Sequence, residues 1–173
     1  MNLARLVSGT AARSPGKTAV VFEGNPVTYG GFDREVGRYA AMLHAAGIRK
    51  GDRIAVQLPK QLEFLFLHFA ALSIGAVTLP LNAEYQPEEV EYFLSDSGSS
   101  LFATDGERFA RSEGAIRELR GVRTLLVDGA GREGADSLPD LLSAAPAAFR
   151  RDWPAGGDDP AMICYTSGTT GRS

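Results

Sequence analysis

The chain has 173 residues, 44% of them hydrophobic and 23% charged, with 18 basic against 21 acidic side chains and a net charge of −3. This is the make-up of a globular domain long enough to bury a core, with no basic run to suit nucleic acid or an anionic membrane as its main partner. A single cysteine, Cys164, excludes an internal disulfide and suits a reducing cytoplasm; with no histidine near it in sequence, it reads as a small buried strand residue and not a nucleophile.

Leu3, Leu6 and Val7 share one helical face, and with Arg5 among the apolar positions the opening segment reads as an amphipathic helix ended by Pro15-Gly16, not as a signal peptide. The β-branched run Thr18 to Phe22 predicts a strand, turned by Glu23-Gly24-Asn25-Pro26 into the extended Val27-Thr28-Tyr29. Thr28 can cap a helix whose apolar positions Phe32, Val36, Tyr39, Ala40 and Leu43 keep a period of about 3.6. Gly47 marks its end, and His44 belongs on the surface near that negative dipole end.

Arg53 to Leu58 predicts the next strand. The helix from Lys60 to Ile74 is apolar nearly all round, which implies burial on more than one side and makes His68 a satisfied core or boundary histidine. Phe64 to Leu81 carries no acidic or basic residue apart from His68, but Gly75 and Pro80 interrupt it, so a buried helix and short strand fit better than a membrane span. Val77 to Leu81 is that strand. Pro87 opens a helix with Glu88, Glu89 and Glu91 near its start, where acidic side chains suit the dipole and call for no acid–base role. Leu101 to Ala103, a helix from Glu107 to Leu119, and a strand from Val122 to Val127 follow. Residues 128–159 read as a loop-rich surface excursion with a short helix near Leu138 to Ala145, leading to a last strand from Ala161 to Tyr165. Alternating strands and helices predict an α/β fold, a mainly parallel sheet flanked by helices, with ligands bound beyond the carboxyl ends of the strands.

Two glycine-rich loops compete for a nucleotide. Gly129-Ala130-Gly131-Arg132-Glu133-Gly134 matches the dinucleotide spacing, but a helix cannot open inside it before Pro139, so it reads as a mobile surface turn. The other is the terminal string Thr166-Ser167-Gly168-Thr169-Thr170-Gly171, entered from the apolar Met162 to Tyr165. Its hydroxyls and glycine N–H groups are the donors of a phosphate grip, although it is not a Walker sequence: only two residues separate its glycines and no lysine follows. On composition alone, a Ser/Thr/Gly-rich turn stays open as the alternative.

The full string Tyr165 to Gly171 resembles the phosphate-binding signature of the adenylate-forming (AMP-binding, acyl-CoA synthetase-like) superfamily. Val27-Thr28-Tyr29 with its following helix, Gly51-Asp52-Arg53-Ile54-Ala55-Val56, Gly75-Ala76-Val77 and Pro80-Leu81-Asn82 are similar to that superfamily in the same order. The resemblance implies that residues 1–173 are the first subdomain of the large N-terminal domain of such an enzyme. It implies a ligase that uses ATP, Mg2+ and a carboxylic acid, fatty or otherwise, to make an acyl-adenylate and pyrophosphate, and then passes the acyl group to coenzyme A. Thr166, Ser167, Gly168, Thr169, Thr170 and Gly171 would bind the ATP phosphates. Because the superfamily's lysine, adenine, acyl and metal-binding positions come later in its sequence, the 173 residues alone are expected to be inactive, with no catalytic residue and no metal ligand of their own. An amino-acid adenylation domain, or a non-catalytic nucleotide-binding or interaction module, remains the alternative.

Overall fold

The computed structural model describes residues 2–146 and 149–165. In chain order the elements are α1 (Leu3–Arg13), β1 (Thr18–Phe22), β2 (Asn25–Thr28), α2 (Tyr29–Ala45), β3 (Arg53–Gln57), α3 (Leu62–Ile74), β4 (Val77–Leu81), α4 (Pro87–Ser97), β5 (Leu101–Thr104), α5 (Gly106–Ile116), β6 (Arg123–Leu126), β7 (Asp136–Ser137) and α6 (Leu138–Ala144). Strands β4-β3-β5-β6-β7 form one sheet in that spatial order, every neighbouring pair parallel. The predicted α/β architecture is therefore observed, with one correction. β1 and β2 stay outside the sheet as an antiparallel hairpin, because Glu23 and Gly24 both take positive φ (49° and 79°) and turn the chain straight back on itself.

Local chemistry accounts for the helix boundaries. Thr28 Oγ1 accepts from Gly31 N at 3.1 Å and starts α2, while Gly75, at φ 78°, closes α3 in a conformation a side chain would strain. In α4 the Gln86 and Glu89 side chains form a reciprocal capping box around Pro87, which explains the acidic start; Glu88, Glu89 and Glu91 are all exposed. Asp105 caps α5 by accepting from Arg108 N at 2.8 Å.

Alternation along the strands builds two unequal cores. Ile54, Val56, Leu101, Ala103 and Leu125 face α2, α3 and α6 together with Phe32, Tyr39, Phe66 and Leu67. Ala55, Leu79, Phe102 and Leu126 face the other way, onto Val90 and Leu94 of α4 and Phe109 and Ile116 of α5. α3 packs against both α1 and α2, as its all-round apolarity requires, with Phe64, Leu65 and Phe69 only half-buried. No described helix is long and apolar enough to cross a membrane.

The described residues of the stretch 128–159 make more contacts than a surface excursion would. The stretch contains β7, and beyond α6 it runs as a strap over the α1/α2 side. Arg151 grips Asp33 with two hydrogen bonds (2.8 and 2.9 Å), reaches Ser8 Oγ at 3.4 Å, and lies 5.1 Å from the Trp153 ring centre. Lys50 then holds Asp159 at 2.8 Å and the Pro154 carbonyl at 3.1 Å. The strap delivers residues 161–163 to the free edge of β4, where Ile163 N donates to Thr78 O at 2.9 Å and Thr78 N to Ala161 O at 3.3 Å. The predicted last strand is thus reduced to one parallel bridge, Thr78 with Met162, in the sheet's sixth position.

Candidate functional site

The strand direction decides which end of the sheet can take a ligand. Residues 161–163 run parallel to β4, so the chain heads for the carboxyl ends of the strands as it passes Tyr165. Ile163 and Tyr165 turn toward the α4 face. Met162 and Cys164 point away from it and are exposed, so Cys164 is not the buried strand residue its neighbours suggest. The strand has no partner on its outer edge among the described residues, and nothing there covers its second face.

Tyr165 is the last described residue, and α4 holds it. Its ring packs on Phe93 with centroids 4.6 Å apart, Tyr92 stands edge-on at 6.5 Å, and its hydroxyl donates to Asp96 Oδ2. Burial, then the hydrogen bond and charge of Asp96, pushes the phenol up to about 12. The six candidate phosphate-binding residues Thr166, Ser167, Gly168, Thr169, Thr170 and Gly171 follow directly in sequence and lie outside the described residues.

Beside this point, the carboxyl ends of β3 and β5 are polar although buried. Gln57 Nε2 donates to the carbonyls of Asn82 and Tyr85 at 3.3 and 3.2 Å, leaving Gln57 Oε1 and Thr104 Oγ1 without partners among the described residues. The cleft between Gln57, Tyr85, Arg108 and Ser112 encloses about 10 Å³, room for a single water. Arg108 is committed to structure: it pairs with Asp105 at 2.5 Å and donates to the Ala83 carbonyl at 3.0 Å. Sequence reasoning missed Phe93, Asp96, Gln57 and Thr104. A lone Asp96 lies 69 positions before the tyrosine it binds, and no spacing rule connects them.

The other candidates fall to structural roles. His44 is exposed at the end of α2, 5.2 Å from the Phe149 ring. His68 is a satisfied boundary residue: Nδ1 lies 2.7 Å from Thr78 Oγ1, and burial holds its imidazole below the usual histidine value. The G-x-G-x-x-G segment is an exposed turn with internal and outside contacts. Arg132 and Ala135 exchange two backbone hydrogen bonds (3.0 and 2.9 Å), and the Arg132 guanidinium sits 5.8 Å from the Phe109 ring centre. The Gly106 amide that a phosphate would want is taken by Asp128 Oδ1 at 2.8 Å, which shuts the start of α5 to an anion. A groove of about 320 Å³ between α5 and β6, floored by Phe109, Ile116 and Val122, runs back toward the amino ends of the strands, the wrong end for a ligand in such a sheet. No group of three or more His, Cys, Asp or Glu converges among the described residues.

A parallel sheet whose edge segment heads for the carboxyl ends of the strands, with a hydroxyl- and glycine-rich string next in sequence, fits the class of α/β proteins that take ligands at that end. The model of the AMP-binding enzyme family matches residues 7–173, and the chain belongs to that family. It is 38% identical over 176 aligned positions to the long-chain-fatty-acid–CoA ligase FadD13 of Mycobacterium tuberculosis, covering 99% of this chain and 33% of that enzyme. It is 36% identical to a feruloyl-CoA synthase of an Amycolatopsis species, covering 94% of this chain and 30% of that one. The crystal structure of the N-terminal domain of FACL13 from Mycobacterium tuberculosis superposes with a TM-score of 0.81 at 34% identity, over 96% of this chain and 42% of that structure. The chain thus spans about a third of the length of the curated relatives it matches.

Proposed function

We propose that residues 1–173 form the N-terminal part of the AMP-binding domain of an ATP-dependent acyl-CoA ligase, and that Thr166 to Gly171 grip the phosphates of ATP. The observation that carries this reading is the family match together with the course of the chain, which runs toward the carboxyl end of the sheet's edge as far as Tyr165. Both relatives described above are named for joining a carboxylic acid to coenzyme A.

In the first half-reaction a carboxylate oxygen attacks the α-phosphorus of ATP, the bond from that phosphorus to the bridging oxygen breaks, and pyrophosphate leaves. In the second, the coenzyme A thiol gives up its proton, its sulfur takes the acyl carbon, and AMP departs. The role assigned to this chain belongs to the first step. In this reading four hydroxyls (Thr166, Ser167, Thr169, Thr170) and the amides of Gly168 and Gly171 donate to phosphate oxygens and stabilise the charge that grows on pyrophosphate as it leaves. Mg2+ would enter this reading with the phosphates of the nucleotide, whose charge it would help to neutralise. A cytoplasmic location belongs to the same reading and fits the low cysteine content of these residues.

The test is ATP–pyrophosphate exchange by the full polypeptide that carries this segment, with long-chain fatty acids and hydroxycinnamates as the acids. Exchange dependent on one of these acids is the expected result. Replacing Thr169 and Thr170 by alanine should slow adenylation by roughly 10²-fold while acyl transfer from preformed acyl-adenylate changes little. Equal losses in both half-reactions would remove the pyrophosphate role.

A further inference from the structure

Backbone pairing guides the chain toward the phosphate string only as far as Ile163, whose N–H donates to Thr78 O at 2.9 Å. Among the described residues no main-chain hydrogen bond takes over at Cys164 or Tyr165. What fixes the chain there is the Tyr165 side chain: its ring lies 4.6 Å from Phe93, its hydroxyl donates to Asp96, and Tyr85 backs Phe93 at 4.9 Å. Phe93 and Asp96 are three residues apart and so share one face of α4. Their helix cannot drift, because Val90 and Leu94 are fully buried beneath it and the Gln86–Glu89 box fixes its start.

Asp96 has no ion pair among the described residues, and its one side-chain bond is to Tyr165. The bond is exposed, so it adds little to global stability; its effect is geometric. We propose that Phe93 and Asp96 are positioning residues, a clamp on Tyr165 that sets the point and direction from which the chain enters the phosphate-binding string Thr166–Gly171. The consequence for ATP rests on the ligase reading above; the clamp itself does not. Neither residue touches the nucleotide; both act through Tyr165. Small errors in aim are costly when donors must meet developing charge, since a misplacement of about 1 Å can cost on the order of 10²-fold in rate.

The experiment compares Tyr165→Phe, Asp96→Ala, Asp96→Asn and the Tyr165→Phe/Asp96→Ala double variant in the full polypeptide, by millisecond hydrogen exchange and by ATP–pyrophosphate exchange. The first two variants are expected to speed amide exchange across residues 166–171 by roughly 3- to 10-fold, with Val90 and Leu94 unchanged. The double variant should exceed neither single one, because one bond is being removed twice, and Asp96→Asn, which keeps an acceptor, should lie nearer the wild type. The KM for ATP should rise about 5- to 20-fold while the KM for the acid stays fixed. A purely structural role would instead loosen α4 and lower the Tm in step. Unchanged exchange at residues 166–171, additive effects, or loss spread over α4 would each overturn the clamp. A wild type without pyrophosphate exchange would sink the ligase reading and leave the hydrogen-exchange arm to decide the clamp.

Discussion

The two faces of the sheet solve different problems. On the α2/α3 face, Phe32, Tyr39, Phe66 and Phe69 interlock with ring centres about 5.4 Å apart, and the Arg151–Trp153 strap crosses over the outside. On the α4/α5 face two polar helices cover a smaller core, an open groove of about 320 Å³ runs beside Phe109, and aromatic rings gather around Tyr165. One face stores stability in dense packing. The other keeps room and aims groups toward the end of the sheet where the chain leaves Tyr165.

The sharpest way to break that contrast is to remove one aromatic from each face. Phe32→Ala should cost about 3–5 kcal/mol, because the dense face cannot collapse around the void. Phe109→Ala should cost about 1–2 kcal/mol less, since its void opens into an existing groove that water can enter. Urea unfolding of both variants measures the difference, and equal costs would show that the faces are packed alike.

Cutting the strap comes next. Arg151→Ala leaves the half-buried Asp33 carboxylate without its two hydrogen bonds and should cost about 1–3 kcal/mol by thermal or urea unfolding. Asp33→Asn/Arg151→Met should recover part of it, because no lone charge is then left behind.

A smaller effect is confined to pH. Burial lowers the His68 pKa in the folded chain from 6.5, so below that value the unfolded state takes up the proton first. Stability is therefore full above pH about 6.5 and falls as pH drops through the window beneath it. His68→Gln, which can still meet Thr78 Oγ1, should flatten that part of the curve in unfolding measurements between pH 5 and 7. The smallest change is at the α2 cap: Thr28→Ala should cost about 1 kcal/mol, and Thr28→Ser should restore most of it.

Much of this was legible in the sequence wherever one residue type has one physical use. Thr28 as a cap, Pro87 at a helix start, Gly47 and Gly75 at helix ends, and the β-branched cores of β3 and β4 all stand where pattern placed them. What sequence could not supply was partnership. Thr18 to Phe22 reads as a strand, but nothing in it says that its partner is β2 alone and not the main sheet. Asp136-Ser137 is too short to announce itself as β7. The loop from Gly129 to Gly134 looked free because its anchors, Phe109 and the Asp128–Gly106 bond, lie on another element. Cys164 reads as buried from its residue type in an apolar run, and neither tells that one face of the edge segment is bare among the described residues. At the candidate site the string itself was legible and its support was not. Tyr165 was visible as the string's last apolar neighbour, Phe93 and Asp96 only once α4 had been packed beside it.

The pairing of Met162 with Thr78 also has a bearing on how the molecule comes together. Two strand pairs of the sheet, β3–β4 and β5–β6, close over one intervening helix, and such local units form early. The edge segment must wait for the whole sheet and then for the strap, because its partner lies far back in the sequence. The segment leading to Tyr165 is thus expected to pair last and to open first. Native-state hydrogen exchange should then see it as the lowest rung of a hierarchy, a foldon that closes only after its foundation has set.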